Sequence, residues 1–164
     1  CYRDAIAEHC VEFDGLFGPA YKGIPLASSV AVAFADQGMD YPVSFNRKEM
    51  KDHGEGGTLL GASPNGRILA IDDVVTAGTA VRESVDFLEN HGASLRAFCV
   101  AVDRQERGQE GTGSALAELS ETFQLVPMSI VTLDDILAFA ADDPRVTDDV
   151  ALRIEAYRAQ YGAP

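Results

Sequence analysis

Residues Ile68-Leu-Ala-Ile-Asp-Asp-Val-Val-Thr-Ala-Gly-Thr-Ala80 leave few folds open. Ile68, Leu69, Ala70 and Ile71 form a continuous apolar run, the pattern of a strand buried on both faces of a parallel sheet. Two carboxylates, Asp72 and Asp73, stand where the run stops. A Thr76-Ala77-Gly78-Thr79 turn follows, with Gly78 supplying backbone freedom that a Cβ would restrict. From Ala80 the sequence places Val81, Val85, Phe87 and Leu88 near one helical face, and Gly92 marks the end. In strand-turn-helix units of open α/β sheets, ligands sit beyond the carboxyl ends of the strands. The first amides of such a helix are unpaired and lie at the positive end of its dipole, so the turn after Asp73 is a cradle for an anion. The carboxylates beside it suit sugar hydroxyls or a divalent cation.

The rest of the chain repeats the alternation. Residues 2–11 are expected to be helical, with Tyr2, Ile6 and Cys10 four apart. Strands are expected at 13–17, 42–45, 68–71, 95–102 and 126–131. Helices are expected at 24–35, 79–90, 114–123, 133–141 and 146–161. Residues 47–66 are poor in apolar side chains and rich in glycine, and read as a long flexible loop, with paired strands possible at its base. This order predicts an α/β fold with a mostly parallel central sheet flanked by helices. At 164 residues, one domain over 1–164 is the simplest organisation.

Charge and cysteine usage narrow the function. A net charge of −13 disfavours a nucleic-acid surface, which needs clustered Lys and Arg. No apolar run approaches the length of a membrane span, and the first residues do not form a secretory signal. Three cysteines without a Cys-x-x-Cys pair argue for a reducing, cytoplasmic setting and against a disulfide framework or a zinc site. Cys99, inside Ala97-Phe-Cys-Val-Ala-Val102, reads as a small buried hydrophobe. His9 and His91 read as surface or helix-end residues. Gly18-Pro-Ala-Tyr-Lys-Gly23 lacks the Lys-Ser/Thr of a Walker loop, and Gly54-Glu-Gly56-Gly57 does not complete a dinucleotide fingerprint. One local exception to the acidic background stands out. Arg47, Lys48 and Lys51 put three of the chain's 13 basic residues into five positions.

The 68–80 stretch resembles the phosphoribosyl-diphosphate (PRPP) motif of type I phosphoribosyltransferases. Three further stretches make the chain similar to orotate phosphoribosyltransferases: Phe17-Gly-Pro-Ala-Tyr-Lys-Gly-Ile-Pro25, Phe45-Asn-Arg-Lys-Glu-Met-Lys-Asp-His-Gly-Glu-Gly-Gly57 and Asp103-Arg-Gln-Glu-Arg-Gly108. The resemblance implies the type I phosphoribosyltransferase fold and the transfer of a phosphoribosyl group from PRPP to orotate, with release of pyrophosphate, in UMP biosynthesis. It implies a 5′-phosphate held by Val74, Val75, Thr76, Ala77, Gly78, Thr79 and Ala80, and ribose hydroxyls met by Asp72 and Asp73. Mg²⁺ is expected near those two carboxylates, held mainly by substrate oxygens and water.

The resemblance also implies that Lys22 binds pyrophosphate, and that Tyr21, Thr76 and Arg104 receive orotate, with the guanidinium on its carboxylate. A homodimer is expected, in which the 47–57 loop reaches the neighbouring site with Arg47, Lys48, Lys51 and His53 on pyrophosphate. Lys51, His53, Lys22 and Asp73 are the expected catalytic set. A cis or strained Ala20–Tyr21 peptide is a further expectation. Members of the family carry an additional N-terminal segment with a lysine and two aromatics for the orotate pocket, so a chain opening at Cys1 is expected to lack that part. A purine-type phosphoribosyltransferase and a non-catalytic PRPP-sensing module remain as alternatives. The 45–57 and 103–108 stretches count against the first, and the acidic charge against the second.

Overall fold

The computed structural model describes residues 1–48, 58–76, 78–109 and 113–163. Among them are six strands, β1 (Gly15–Gly18), β2 (Val43–Asn46), β3 (Leu59–Gly61), β4 (Gly66–Val74), β5 (Ala93–Asp103) and β6 (Val126–Thr132). Six helices join them: α1 (Tyr2–Glu8), α2 (Gly23–Ala35), α3 (Thr79–Asn90), α4 (Ala115–Phe123), α5 (Leu133–Asp142) and α6 (Asp148–Tyr161). The strands form one sheet in the order β3-β2-β1-β4-β5-β6. All neighbours are parallel except the β2–β3 pair, which is antiparallel. The expected fold class therefore holds.

Strand alternation sorts the core into two layers. Leu16, Leu69, Ile71, Ala97 and Cys99 face one side, where they pack with Ile6 of α1 and with Ala27, Val30 and Phe34 of α2. Phe17, Ile68, Ala70, Phe98 and Val100 face the other, against Val81, Val85 and Leu88 of α3 and Leu116 and Leu119 of α4. Phe17, Leu69 and Phe98 are essentially excluded from solvent, and each contributes roughly 2 kcal/mol by leaving water.

Several boundaries differ from the sequence expectation. β4 does not stop at Ile71 but carries Asp72, Asp73 and Val74 as strand residues. They stay in the ladder because β5 runs alongside, with Asp72 opposite Val100 and Val74 opposite Val102. β5 begins at Ala93, and its register with β4 shifts between Ile68 and Leu69, so that Arg96 is skipped. α1 ends at Glu8, and Cys10 adopts a positive φ of 50°. The 47–66 region has the paired strands allowed for at its base, β3 against β2, while β4 already starts at Gly66. Residues 49–57, with Lys51 and His53, lie outside the described residues.

The strand order sets the place of the site. From β1 the chain moves outward through α2 to β2. It then returns, and β4 is laid against the opposite side of β1 before the chain continues outward through α3 to β5. The direction of progression thus reverses between β1 and β4. The crevice beyond their carboxyl ends is the topological switch point, where open α/β sheets bind ligands.

Candidate active site

Two turns meet at that crevice. The first, Pro19-Ala-Tyr-Lys22, leads from β1 into α2. Gly23 is what allows it to lie so close to β4, because a Cβ there would fall 2.7 Å from the Ile71 carbonyl oxygen and 2.6 Å from Pro19 Cδ. The Ala20 N–H donates to Asn46 Oδ1 at the end of β2 (2.6 Å), and the Ala20–Tyr21 peptide is cis, as expected. The turn delivers Lys22, whose Nζ donates to Asp73 Oδ2 at 2.6 Å.

The second turn follows β4. Gly78 has a φ of 76° and precedes α3 without any side-chain cap. Its positive φ is natural for glycine and strained for other residues. The first amides of α3 are therefore left for another acceptor. They border a cavity of about 230 Å³ lined by Val74, Val75, Thr76, Gly78, Thr79, Ala80 and Val81. Ala77 lies outside the described residues. The remaining members of the expected phosphate loop do converge.

The adjacent carboxylates are not equivalent. As consecutive strand residues, Asp72 and Asp73 leave the sheet on opposite sides. Asp73 follows Ile71 toward the α2 side and meets Lys22. Burial pushes its carboxyl up, but the hydrogen bond and charge of Lys22 outweigh that and hold it below the usual range. Lys22 is raised in return, first by its hydrogen bond to Asp73. Asp72 lies on the α3 side, half-buried. Burial pushes its carboxyl up to about 6, assisted by the charge of Asp73 and opposed by the Asp73 N–H, which donates to Asp72 Oδ1 at 2.9 Å. The strand carrying both is tied to α1, because the Tyr2 hydroxyl donates to the Asp72 carbonyl oxygen at 2.8 Å. Burial raises that phenol to about 12, so it stays a donor at physiological pH.

The Asp72 environment has a consequence for stability. Between about pH 4 and pH 6 the folded protein holds a proton on Asp72 that the unfolded chain releases. This contribution is complete below about pH 4 and is lost as pH rises through about 6. Asp72→Asn is accordingly expected to raise stability at pH 8 by about 1 kcal/mol, a full shift discounted for the half-exposed carboxyl. The same change is expected to leave stability unaltered near pH 4. Urea unfolding of both proteins at the two pH values checks this. An equal effect at both would show that the burial of a charge is not the cause.

Arg104 enters from the end of β5. Its Nη2 donates to Thr76 Oγ1 at 2.8 Å and to Glu106 Oε2 at 3.1 Å. Its Nε is buried without a hydrogen-bond partner among the described residues. Arg104 is therefore not the solvated arginine that a charged turn suggests, but a braced guanidinium with an unmet donor. Tyr21 is 63% exposed, and Lys48 Nζ lies 5.6 Å from its ring centroid. Arg47 follows β2 and its N–H donates to the Thr58 carbonyl (2.7 Å), so its backbone continues the β2–β3 pairing. The crevice thus brings together Lys22, Asp72, Asp73, Thr76, Gly78 and Arg104. Tyr21 and Lys48 pair with each other at its rim.

Sequence reasoning missed Tyr2, Asn46, Glu106 and Tyr157, whose hydroxyl donates to Glu106 Oε1. Glu106 and Asn46 lie inside the stretches that carried the resemblance. Tyr2 and Tyr157 reach the site from distant segments and give no local signal.

Residues 4–112 match the phosphoribosyl transferase domain family. An orotate phosphoribosyltransferase of Laribacter hongkongensis is 53% identical over 161 residues, covering 98% of this chain and 75% of that protein. One from Escherichia coli strain K12 is 46% identical over 162 residues, with the same coverage. The crystal structure of orotate phosphoribosyltransferase from Francisella tularensis superposes with a TM-score of 0.81 at 32% identity, covering 98% of this chain and 76% of that one.

Proposed function

This chain belongs to the orotate phosphoribosyltransferases, transferases of pyrimidine biosynthesis, and from that premise we propose how its residues carry the reaction. PRPP and orotate are the substrates; orotidine 5′-monophosphate and pyrophosphate are the products. The 5′-phosphate rests on the first amides of α3 and on the hydroxyls of Thr76 and Thr79, with Val74, Val75, Ala77, Gly78 and Ala80 shaping the cradle. Asp72 and Asp73 accept from the ribose hydroxyls, and their charge stabilises the cationic ring as the anomeric bond breaks. Lys22 exchanges Asp73 for the pyrophosphate. Arg104, Thr76 and Tyr21 receive orotate, with the guanidinium on its carboxylate.

Lys51 and His53 lie outside the described residues. With Arg47 and Lys48 they form the basic arm of the 47–57 loop. In a homodimer that arm covers the neighbouring site and neutralises the leaving group while water is excluded. Enzyme and substrates meet in the cytoplasm.

Mg²⁺ suits this donor set in a limited way. Among the described residues no three His, Cys, Asp or Glu side chains converge, and Asp73 is already engaged by Lys22. A hard cation there would take most ligands from substrate oxygens and water, with Asp72 and Asp73 on its border. When bound, it supplies neutralising charge for pyrophosphate.

The observation that supports this reading best is the Arg104–Thr76 hydrogen bond. It joins the expected carboxylate receptor after β5 to the turn after β4, on one side of the switch point. The test is pyrophosphate release with PRPP and Mg²⁺, comparing orotate, uracil and adenine. Release with orotate alone is the expected result. Release with adenine would indicate the purine-type reading. PRPP binding without turnover on any base would indicate a sensing module.

A further inference from the structure

Arg104 is held from behind by two side chains, Glu106 and Tyr157, to which the proposed reaction gives no role. Glu106 is largely buried, with its side chain 14% exposed. Its two carboxylate oxygens are divided between two partners. Oε2 accepts from Arg104 Nη2 at 3.1 Å, and Oε1 accepts from the hydroxyl of Tyr157 on α6. Tyr157 also packs against Tyr161, with ring centroids 5.0 Å apart. The line Tyr157–Glu106–Arg104–Thr76 therefore runs from the last helix to the phosphate loop. An unsupported arginine has many rotamers, and ordering it on ligand binding weakens affinity. A carboxylate locked by a second donor leaves one of them favoured.

We infer that Glu106 and Tyr157 are positioning residues that aim the Arg104 guanidinium, and that they thereby set the preference for a base bearing a carboxylate. This rests on Arg104 being the orotate receptor.

The backbone makes the idea testable without dismantling α6. The Arg107 N–H donates to the Tyr161 carbonyl (2.8 Å), and the Ala163 N–H donates to the Gln105 carbonyl (2.8 Å). Arg158 pairs with Asp134 at 2.7 Å. The two backbone bonds hold the end of the chain after α6 on the 105–107 segment, and the ion pair ties α6 to α5, when the Tyr157 hydroxyl is removed.

Steady-state kinetics of the full chain with Tyr157→Phe, Glu106→Gln, Arg104→Ala and the double variant Tyr157→Phe/Arg104→Ala provide the test. Tyr157→Phe and Glu106→Gln are expected to raise KM for orotate about tenfold, as for loss of one hydrogen bond in a charged network. KM for PRPP should stay within about twofold, because the first amides of α3 and Thr79, which lie outside this line, still receive the 5′-phosphate. In the Arg104→Ala background, Tyr157→Phe should add nothing, since its effect passes through the guanidinium. An unchanged orotate KM in Tyr157→Phe, a parallel rise for PRPP, or additivity with Arg104→Ala would each overturn the inference. If Arg104→Ala itself leaves orotate KM unaltered, the orotate assignment of Arg104 fails instead, and the two failures are told apart.

Discussion

Gly78→Val is expected to cost about 2–5 kcal/mol of stability and to remove measurable PRPP binding. Two effects add. The φ of 76° is natural for glycine, and a β-branched residue there is strained by about 1–2 kcal/mol. A Cβ at this position would also lie 2.6 Å from Leu119 Cδ1 and 2.9 Å from Cδ2, and crowding of this kind costs roughly 1–3 kcal/mol. Leu119 is buried in the core, so relief falls largely on the turn, and that movement displaces the first amides of α3 from the position proposed for the 5′-phosphate. Denaturant unfolding and PRPP titration measure the two parts separately. Normal PRPP affinity in a destabilised variant would show that this turn does not hold the phosphate.

Lys51→Ala is expected to lower kcat by about 100-fold, the scale of removing one preorganised charge from a developing anion. The melting temperature should change little, because the 47–57 stretch is poor in apolar side chains. The ground for the expectation is the concentration of Arg47, Lys48 and Lys51 against a net charge of −13, together with the likeness of this stretch to the family. A variant that turns over normally would place the leaving-group charge elsewhere, with Lys22 the first alternative.

What the sequence discloses, and what it hides, follows from the range of the interactions. Ile68–Ile71 is apolar on both faces, and such a run in a βα alternation can only be an inner parallel strand. Gly78 and its two flanking threonines report a turn through local chemistry. These features fixed β4, α3 and the cradle without reference to the rest of the chain. The extension of β4 through Asp72 and Asp73 was hidden because carboxylates are poor strand formers. They remain in the strand because β5 continues beside them. The register shift near Leu95–Ala97 was hidden for the opposite reason: Ala97–Val102 is apolar at every position, so no alternation marks which face each residue takes.

The division of labour between the two aspartates was likewise invisible. It depends on which helix lies over which face, and on Gly23 letting Lys22 approach Asp73. Tyr2 and Tyr157 meet the site across 70 and 51 residues of chain. No local pattern announces contacts of that separation. α6 shows the limit of periodicity as well, since none of its residues is buried, although its apolar positions predicted a helix correctly.

The positions of the phosphate and the base carboxylate of the product define the site. Crystals of this chain grown with orotidine 5′-monophosphate measure them directly. The expected density places the phosphate against the amides that open α3, with its oxygens near Thr76 and Thr79, and the base carboxylate on the Arg104 guanidinium. A phosphate bound away from the Gly78 turn, or a base whose carboxylate points away from Arg104, would contradict it.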